Sequence, residues 1–329
     1  MDRRTFGALT AAAVAGVAAV GPAWARYPAR GLDNSLRSFK SFPGATSFRI
    51  DIGGRELTSD SASSQLFVAS AIKTFILCQY LRDVDDSGAL LEEQLQVNDS
   101  VRTDGSPVLG NLTGETTARS VLEAMITHSD NTATDIALLH VGPDRVRAFI
   151  VEQNLAATLI PDSTRRFFSY NVGAPLGVDV GWSGVQQVLA SRHALGPPRR
   201  PLNDQETLAS SANDLVTYYK RALAGSLFTK RSTLSEFKRI HLSNAMFPED
   251  AIGYGKGGSG NWFGDSMVVG DFHALSYAGQ MVVNATPVTF CFVANWTSED
   301  PKLDTDEFVP VFTDVVQGSM RAVKQLLLR

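Results

Sequence analysis

The chain predicts an α+β fold: an antiparallel sheet with terminal helices, built from both chain ends, against an all-helical insertion. Strand-like segments lie near both ends, at residues 47–52 and again at 272–277 and 288–296, while helical spacing dominates from 67 to about 155. A third observation is bulk: 329 residues, 44% of them hydrophobic and 19% charged, suffice for a large core without staples. The formal charge of −4 gives no electrostatic reason to expect a nucleic-acid or anionic-membrane partner, since such binding is driven by clustered Lys and Arg. Two cysteines are too few for a disulfide framework.

In chain order, residues 1–25 read as an export signal. Arg3-Arg4 precedes an uncharged run at 7–20 rich in Ala and Val, and Ala23-Trp24-Ala25 supplies small residues for cleavage. Such a run makes a helix of roughly 21 Å, short of the ~30 Å hydrocarbon core, so a signal is expected rather than a transmembrane anchor. The paired arginines match a twin-arginine signal and place the mature chain in the periplasm or outside the cell. No later segment is apolar enough to span, and a monomer is expected.

Residues 47–52 alternate with period 2 and meet a turn at Gly53-Gly54, which predicts a hairpin. The nearly all-apolar run 67–84 predicts a buried helix stopped by Gly88. Thr117 is the expected N-cap of a helix over 118–126. Five prolines between 161 and 201 predict long loops broken by one short helix near 184–192. Helical spacing returns at 209–224. Strands are expected at 266–269, 272–277 and 288–296, then an amphipathic helix over 309–328.

Three short motifs carry chemistry. In Ser70-Ala71-Ile72-Lys73 a hydroxyl and an amine three residues apart share one helix face. Chance alone yields about one such spacing in a chain with this many serines, and Ser235…Lys238 is a second instance. Context separates them, because Ser235 lies in a polar amphipathic stretch whereas Lys73 stands among Ala71, Ile72, Phe75, Ile76 and Leu77. A desolvated lysine has a lowered pKa and takes a proton from serine near neutral pH; a lysine snorkelling at a helix start is the plainer alternative. Ser129-Asp130-Asn131 follows the helical pattern at 122–126, where an ordinary capping turn would also fit. In Lys256-Gly257-Gly258-Ser259 the glycines let a ligand approach a strand and the lysine attracts a carboxylate, although a flexible hairpin would read the same way.

Other chemistries lack support. Gly253, Gly255 and Gly258 match a dinucleotide fingerprint without the strand–turn–helix unit it needs. The five histidines are at least twelve residues apart, so no local zinc motif exists, and His128 is expected to be structural. Cys78 and Cys291 read as buried small hydrophobes rather than a redox pair.

Taken in order, the three motifs resemble those of class A serine β-lactamases and penicillin-binding proteins. Ser106-Pro107-Val108, Leu112-Thr113-Gly114 and the extension Thr132-Ala133 carry the resemblance further, over roughly 45–329 in outline. It implies a β-lactamase/transpeptidase-like fold, with 26–64 and 209–329 forming the sheet domain and 65–208 a helical domain that includes the loop 161–181. It also implies Ser70 as acylated nucleophile, Lys73 as its proton acceptor or relay, and Ser129 as proton donor to the leaving nitrogen. Asn131 would hold the substrate amide, Lys256 would add positive potential, Gly258 would admit the substrate, and the N–H groups of Ser70 and Ser259 would form the oxyanion hole. No metal or organic cofactor is implied, and the partner is a small β-lactam or related amide or ester.

Three departures qualify that picture. Asn171 matches the family's loop asparagine and is expected to join the substrate-binding residues; the match puts Phe167 where the family's deacylating glutamate belongs, and no Glu occurs from 156 to 205. A phenyl ring takes no proton, so release of the acyl group is expected to be slow unless Lys73 or Asp162 substitutes. Gly257 also replaces the usual Thr or Ser, a loss that Ser259 offsets only in part. The segment 181–208, with Trp182 and Arg199-Arg200, is longer than usual and is expected to remodel the cleft. Three other functions fit these departures: an esterase or amidase on non-lactam substrates, a cell-wall peptidase, and a protein that is acylated once and stays so.

Overall fold

The structure, a computed structural model, describes residues 30–87, 91–243, 246–249, 251–264 and 270–328. The export signal at 1–25, the stop at Gly88 and the strand expected at 266–269 lie outside these residues. The sheet runs in the order β2-β1-β9-β8-β7, antiparallel throughout: β1 (Ala45–Ile52), β2 (Arg55–Asp60), β7 (Ile252–Trp262), β8 (Phe272–Val283) and β9 (Thr286–Thr297). It therefore joins both ends of the chain, as the strand-like segments predicted.

Period-2 alternation sets which face each residue of β1 meets. Phe48, Ile50 and Ile52 join an apolar cluster with Phe39 of α1 (Arg30–Lys40) and with Phe312, Val316 and Met320 of α10 (Thr305–Leu327). The opposite face turns Asp51 to Arg49 (2.8 Å) and to Lys220 (2.8 Å) of α8 (Ala212–Ala224). β8 and β9 are central strands covered on both faces, which explains why residues 288–296 are apolar without alternation.

The second core lies on the other face, around α2 (Lys73–Ser87), where Phe75, Ile76, Leu77, Cys78, Tyr80 and Leu81 are wholly buried. At roughly 1.5–3 kcal/mol for each large apolar side chain, this helix anchors the region. Around it lie α3 (Ala118–Thr127), α4 (Asn131–Val141), α5 (Pro143–Glu152), α6 (Thr164–Asn171), α9 (Arg231–His241) and three short strands, β3 (Leu66–Phe67), β4 (Gln94–Val97) and β5 (Gly114–Thr117), with β6 (Ala209–Ser210) paired to β3, while α7 (Gly181–Ser191) packs through Val188 in a separate small cluster with Val172 and Phe263. Thr117 caps α3 by accepting from the Ser120 N–H, as expected. None of the described helices is long and apolar enough to cross a membrane.

Several sequence expectations need correction. The helix predicted from residue 67 begins at Lys73, because Leu66 and Phe67 pair with β6 and a 3-10 turn, Ala69–Ile72, intervenes. The helix expected from residue 209 begins at Ala212, behind that same pair. Between 161 and 201 there are two helices rather than one: α6 forms despite modest propensity because Ser163 caps it and Asp135 accepts from the N–H groups of Thr164 and Arg165. The cysteines are both free and buried, and burial pushes the Cys78 thiol up to about 12.

Candidate active site

The nucleophile turn is pinned from the sheet. Asn295 of β9 accepts from the Phe67 N–H and donates to the Phe67 carbonyl, both at 2.8 Å, and the Ser276 hydroxyl donates to the Val68 carbonyl at 2.7 Å. The chain then turns through Ala69 at φ +48° into the 3-10 turn that carries Ser70. Ser129, at φ +58°, is a second non-glycine residue in left-handed conformation at this site. Such conformations persist where the surrounding contacts over-determine them, and here they flank the reacting groups.

One turn beyond Ser70, Lys73 is completely buried. Its Nζ donates to the Ser129 carbonyl (2.6 Å) and to Asn131 Oδ1 (2.6 Å) and lies 3.5 Å from Ser129 Oγ. Burial, then the charge on Lys256, hold its pKa well below the ordinary lysine value. A neutral amine has two hydrogens; the two short acceptors use both and leave its lone pair free to take a proton. Lys256, on the edge strand β7, donates to Ser129 Oγ (2.9 Å) and to the Gly257 carbonyl (2.9 Å), and burial brings its pKa down to about 7. Ser129 Oγ therefore faces both lysines, and its own proton is available to a substrate.

The remaining wall is built on Asp130. Its carboxylate caps α4 at the Ala133 N–H and accepts from the N–H groups of Val108 and Leu109, each at 2.8 Å. Asn131 Nδ2 donates to the Asp104 carbonyl (2.8 Å), and Ser106 and Thr132 share a hydrogen bond (2.7 Å). The result is a cleft of about 770 Å3 lined on one side by Ser70, Gly105, Ser106, Ser129 and Asn131 and on the other by Lys256, Gly257, Gly258 and Ser259. It continues toward α10 along Met246, Tyr277, Val309 and Phe312.

Gly258 is required by close approach: a Cβ there would stand 2.5 Å from the Ser70 nitrogen and 2.6 Å from the Val68 oxygen, both backbone atoms. A Gly258→Ala variant is expected to acylate about ten- to a hundredfold more slowly and to lose about 1–3 kcal/mol of stability, read from adduct formation and a urea midpoint. A wild-type rate would mean that the turn moves aside freely. The substitution of glycine at 257 also has a cause, since the Tyr277 ring lies 2.9 Å from the place its Cβ would take.

The structure brings Ser70, Lys73, Ser129, Asn131, Lys256, Gly258 and Ser259 together at one cleft. It does not bring Asn171 there. That side chain is buried and spends its amide on the carbonyls of Arg199 and Phe263, with Oδ1 accepting from the Phe263 N–H, so it braces the loop instead of meeting substrate. Asp162 pairs with Arg147 (2.6 Å) and Arg166 (3.1 Å) and lines neither the cleft nor the small cavity beside Ser70, which removes it as the substitute base for acyl release. Among the described residues none of 181–208 lines this cleft, although Leu208 borders a smaller cavity beside Ser70; Val188 packs with Val172 and Phe263, and Arg199 stacks on Tyr170. This corrects the expectation that the segment remodels the cleft: only its last residue comes near Ser70. His128 is exposed on the cleft wall at the end of α3.

Sequence reasoning missed His241, which lines the cleft, bonds Thr74 Oγ1 (2.9 Å) and is held neutral by burial at about 4. It also missed the surroundings of Phe167. That ring stacks on Phe67 (5.4 Å) in an aromatic group with Trp262 and borders a second, small cavity shared with Ser70.

Comparison with known proteins gives the following likenesses. The model of the β-lactamase enzyme family matches residues 30–254. A β-lactamase of Streptomyces fradiae is 34% identical over 149 residues, 42% of this chain, and the chain spans about half (48%) of that relative's length. Among solved structures, a β-lactamase from Sphaerobacter thermophilus (16% identical) superposes with TM-score 0.66 over 91% of this chain and 97% of its own. A class A β-lactamase representative from Bacteroides cellulosilyticus (15% identical) gives 0.65 over 91% and 99%. At such identities these structures bear on the fold alone, which is that of the β-lactamase/transpeptidase group.

Proposed function

Because the chain belongs to the β-lactamase enzyme family, we propose that it is a serine hydrolase of the class A β-lactamase type, acylated at Ser70 by β-lactams. The observation that carries this reading is the position of Ser129 Oγ, 2.9 Å from Lys256 Nζ and 3.5 Å from Lys73 Nζ, beside the Ser70 turn. Neutral Lys73 takes the Ser70 proton as Oγ adds to the lactam carbonyl carbon. The N–H groups of Ser70 and Ser259 receive the oxyanion, an interaction worth ~3 kcal/mol per donor. As the C–N bond breaks, Ser129 passes its proton to the nitrogen and regains one from Lys73. Export directed by residues 1–25 belongs to the same reading and rests on the Arg3-Arg4 pattern.

Intact-mass measurement after mixing with a penicillin or a cephalosporin tests it. A gain of one drug mass on the peptide containing Ser70, or product released by the wild type, is expected; neither adduct nor product would sink the reading. Phe167 favours a second version, in which the chain acylates readily and releases slowly. A Phe167→Glu variant is expected to release about ten- to a hundredfold faster, since a carboxylate would then border the cavity beside Ser70. An unchanged release rate would mean that position 167 does not face the acyl group.

A further inference from the structure

The small cavity beside Ser70 has a volume of about 110 Å3 and is lined by polar residues, among them Ser70, Asn131 and Thr164, together with apolar ones, among them Phe167, Leu208 and Trp262. That is room for a few waters with polar partners among the lining side chains. Thr164 opens α6, and its hydroxyl donates to Asp135 Oδ1 at 2.7 Å. Asp135 also accepts from the N–H groups of Thr164 (2.6 Å) and Arg165 (3.1 Å). It is a buried carboxyl on α4, one turn beyond Asn131, and acylation makes no use of it.

We propose that Asp135, acting through the Thr164 hydroxyl, accepts the proton of the water that releases the acyl group, in place of the glutamate that Phe167 displaces. The proposal rests on the acylation of Ser70 argued above. A hydroxyl can donate to Asp135 while accepting from water, so the pair joins the cavity to a base set behind it. One water proton passes to Thr164 Oγ1 as the Thr164 proton passes to Asp135, and the hydroxide adds to the acyl carbonyl carbon. When the carbon–Oγ bond breaks, the second water proton goes to Ser70 Oγ and the product leaves as a carboxylate. Asp135 then returns its proton by the same path to solvent.

The surroundings suit this role. Burial raises the Asp135 pKa to about 6 against the hydrogen bonds and the Arg165 charge that lower it, so the group is ionised at neutral pH yet basic enough to act. Lys73 on α2 is the other cation coupled to it, and Asp130 begins the same helix. Arg145 and Arg147 of α5 pair with Asp83, Asp144 and Asp162, and Glu123 of α3 pairs with Arg239. Because Asp135 acts through another residue and also anchors the start of α6, its test needs more than a loss of rate.

Release of acyl product would be followed between about pH 4.5 and 8 in the wild type and in Asp135→Asn, Thr164→Val and Thr164→Ser. The wild-type rate is expected to rise with pH through about 6 and level off. Thr164→Val and Asp135→Asn should release about a hundredfold more slowly and lose that limb; acylation is unchanged in Thr164→Val, while in Asp135→Asn its pH dependence shifts down because Lys73 loses a neighbouring negative charge. Thr164→Ser, which keeps the hydroxyl, should restore both rate and limb, and the two Thr164 variants carry the test if Asp135→Asn does not fold. Wild-type release, or a limb surviving in Thr164→Val, would overturn the relay while leaving acylation intact. No adduct and no product from the wild type would instead overturn the acylation reading itself.

Discussion

A Ser70→Ala variant is expected to fold, to gain no mass from a penicillin and to release no product. The turn is held by backbone and by neighbouring side chains, namely Asn295 on Phe67 and Ser276 on Val68, none of which involves the Ser70 hydroxyl. Alanine therefore removes the nucleophile and little else. Loss of the attacking group in serine hydrolases costs about a millionfold in rate, so activity should fall to the detection limit. Ser129 is the nearest substitute, but its oxygen already accepts from Lys256, which opposes its use as a nucleophile. Ser235→Ala is the matched control: that serine lies on the exposed face of α9 with its hydroxyl on the Arg231 carbonyl, and acylation should not change. An adduct surviving in Ser70→Ala would remove Ser70 from the chemistry.

The site was readable where its chemistry is local. Ser70 and Lys73 are three residues apart, Ser129, Asp130 and Asn131 are consecutive, and Lys256 and Gly258 lie on one strand, so each pattern survives in sequence. The fold was readable for a similar reason, because alternation in β1 and the unbroken apolar strand β9 each reflect one face or two faces buried. What sequence did not reveal depends on partners far away in the chain. Residues 67 and 68 look helical by composition, yet Asn295 holds Phe67 in a strand, and Leu208 and Ser276 tie down the backbone of Val68 ahead of the turn. The helix α6 has weak local signals and is anchored by Asp135, twenty-nine residues earlier. Asn171 carried a motif but not an address: its amide meets Phe263, ninety-two residues away. Asp135 carried no legible sign, because it follows Asn131, Thr132 and Thr134 in the polar opening of its helix, unlike Lys73 among apolar neighbours.

Lys73→Met should lower the acylation rate about a thousandfold, within the range that general-base catalysis supplies. Methionine approximates the length of the lysine stem and removes only the amine, although it leaves the Ser129 carbonyl and Asn131 Oδ1 without their donor. The pH dependence gives the sharper check. Acylation needs Lys73 neutral, so the wild-type rate rises as this lysine loses its proton, at a pH brought well below the ordinary lysine range by burial and by Lys256. With an anionic penicillin the rate should then fall around pH 7 as Lys256 loses its charge, whereas a neutral penicillin ester should show no such fall. Stability carries the same signature. Between about pH 7 and the unfolded lysine value, the unfolded chain holds a proton that folded Lys256 has lost, so stability rises with pH across that window. Lys73 adds to this slope in the same sense, because its folded pKa is also depressed, and Lys73→Met should flatten it. A flat wild-type profile for both acylation and unfolding would mean that the buried lysines keep ordinary pKa values, and that proton abstraction by Lys73 is not what activates Ser70.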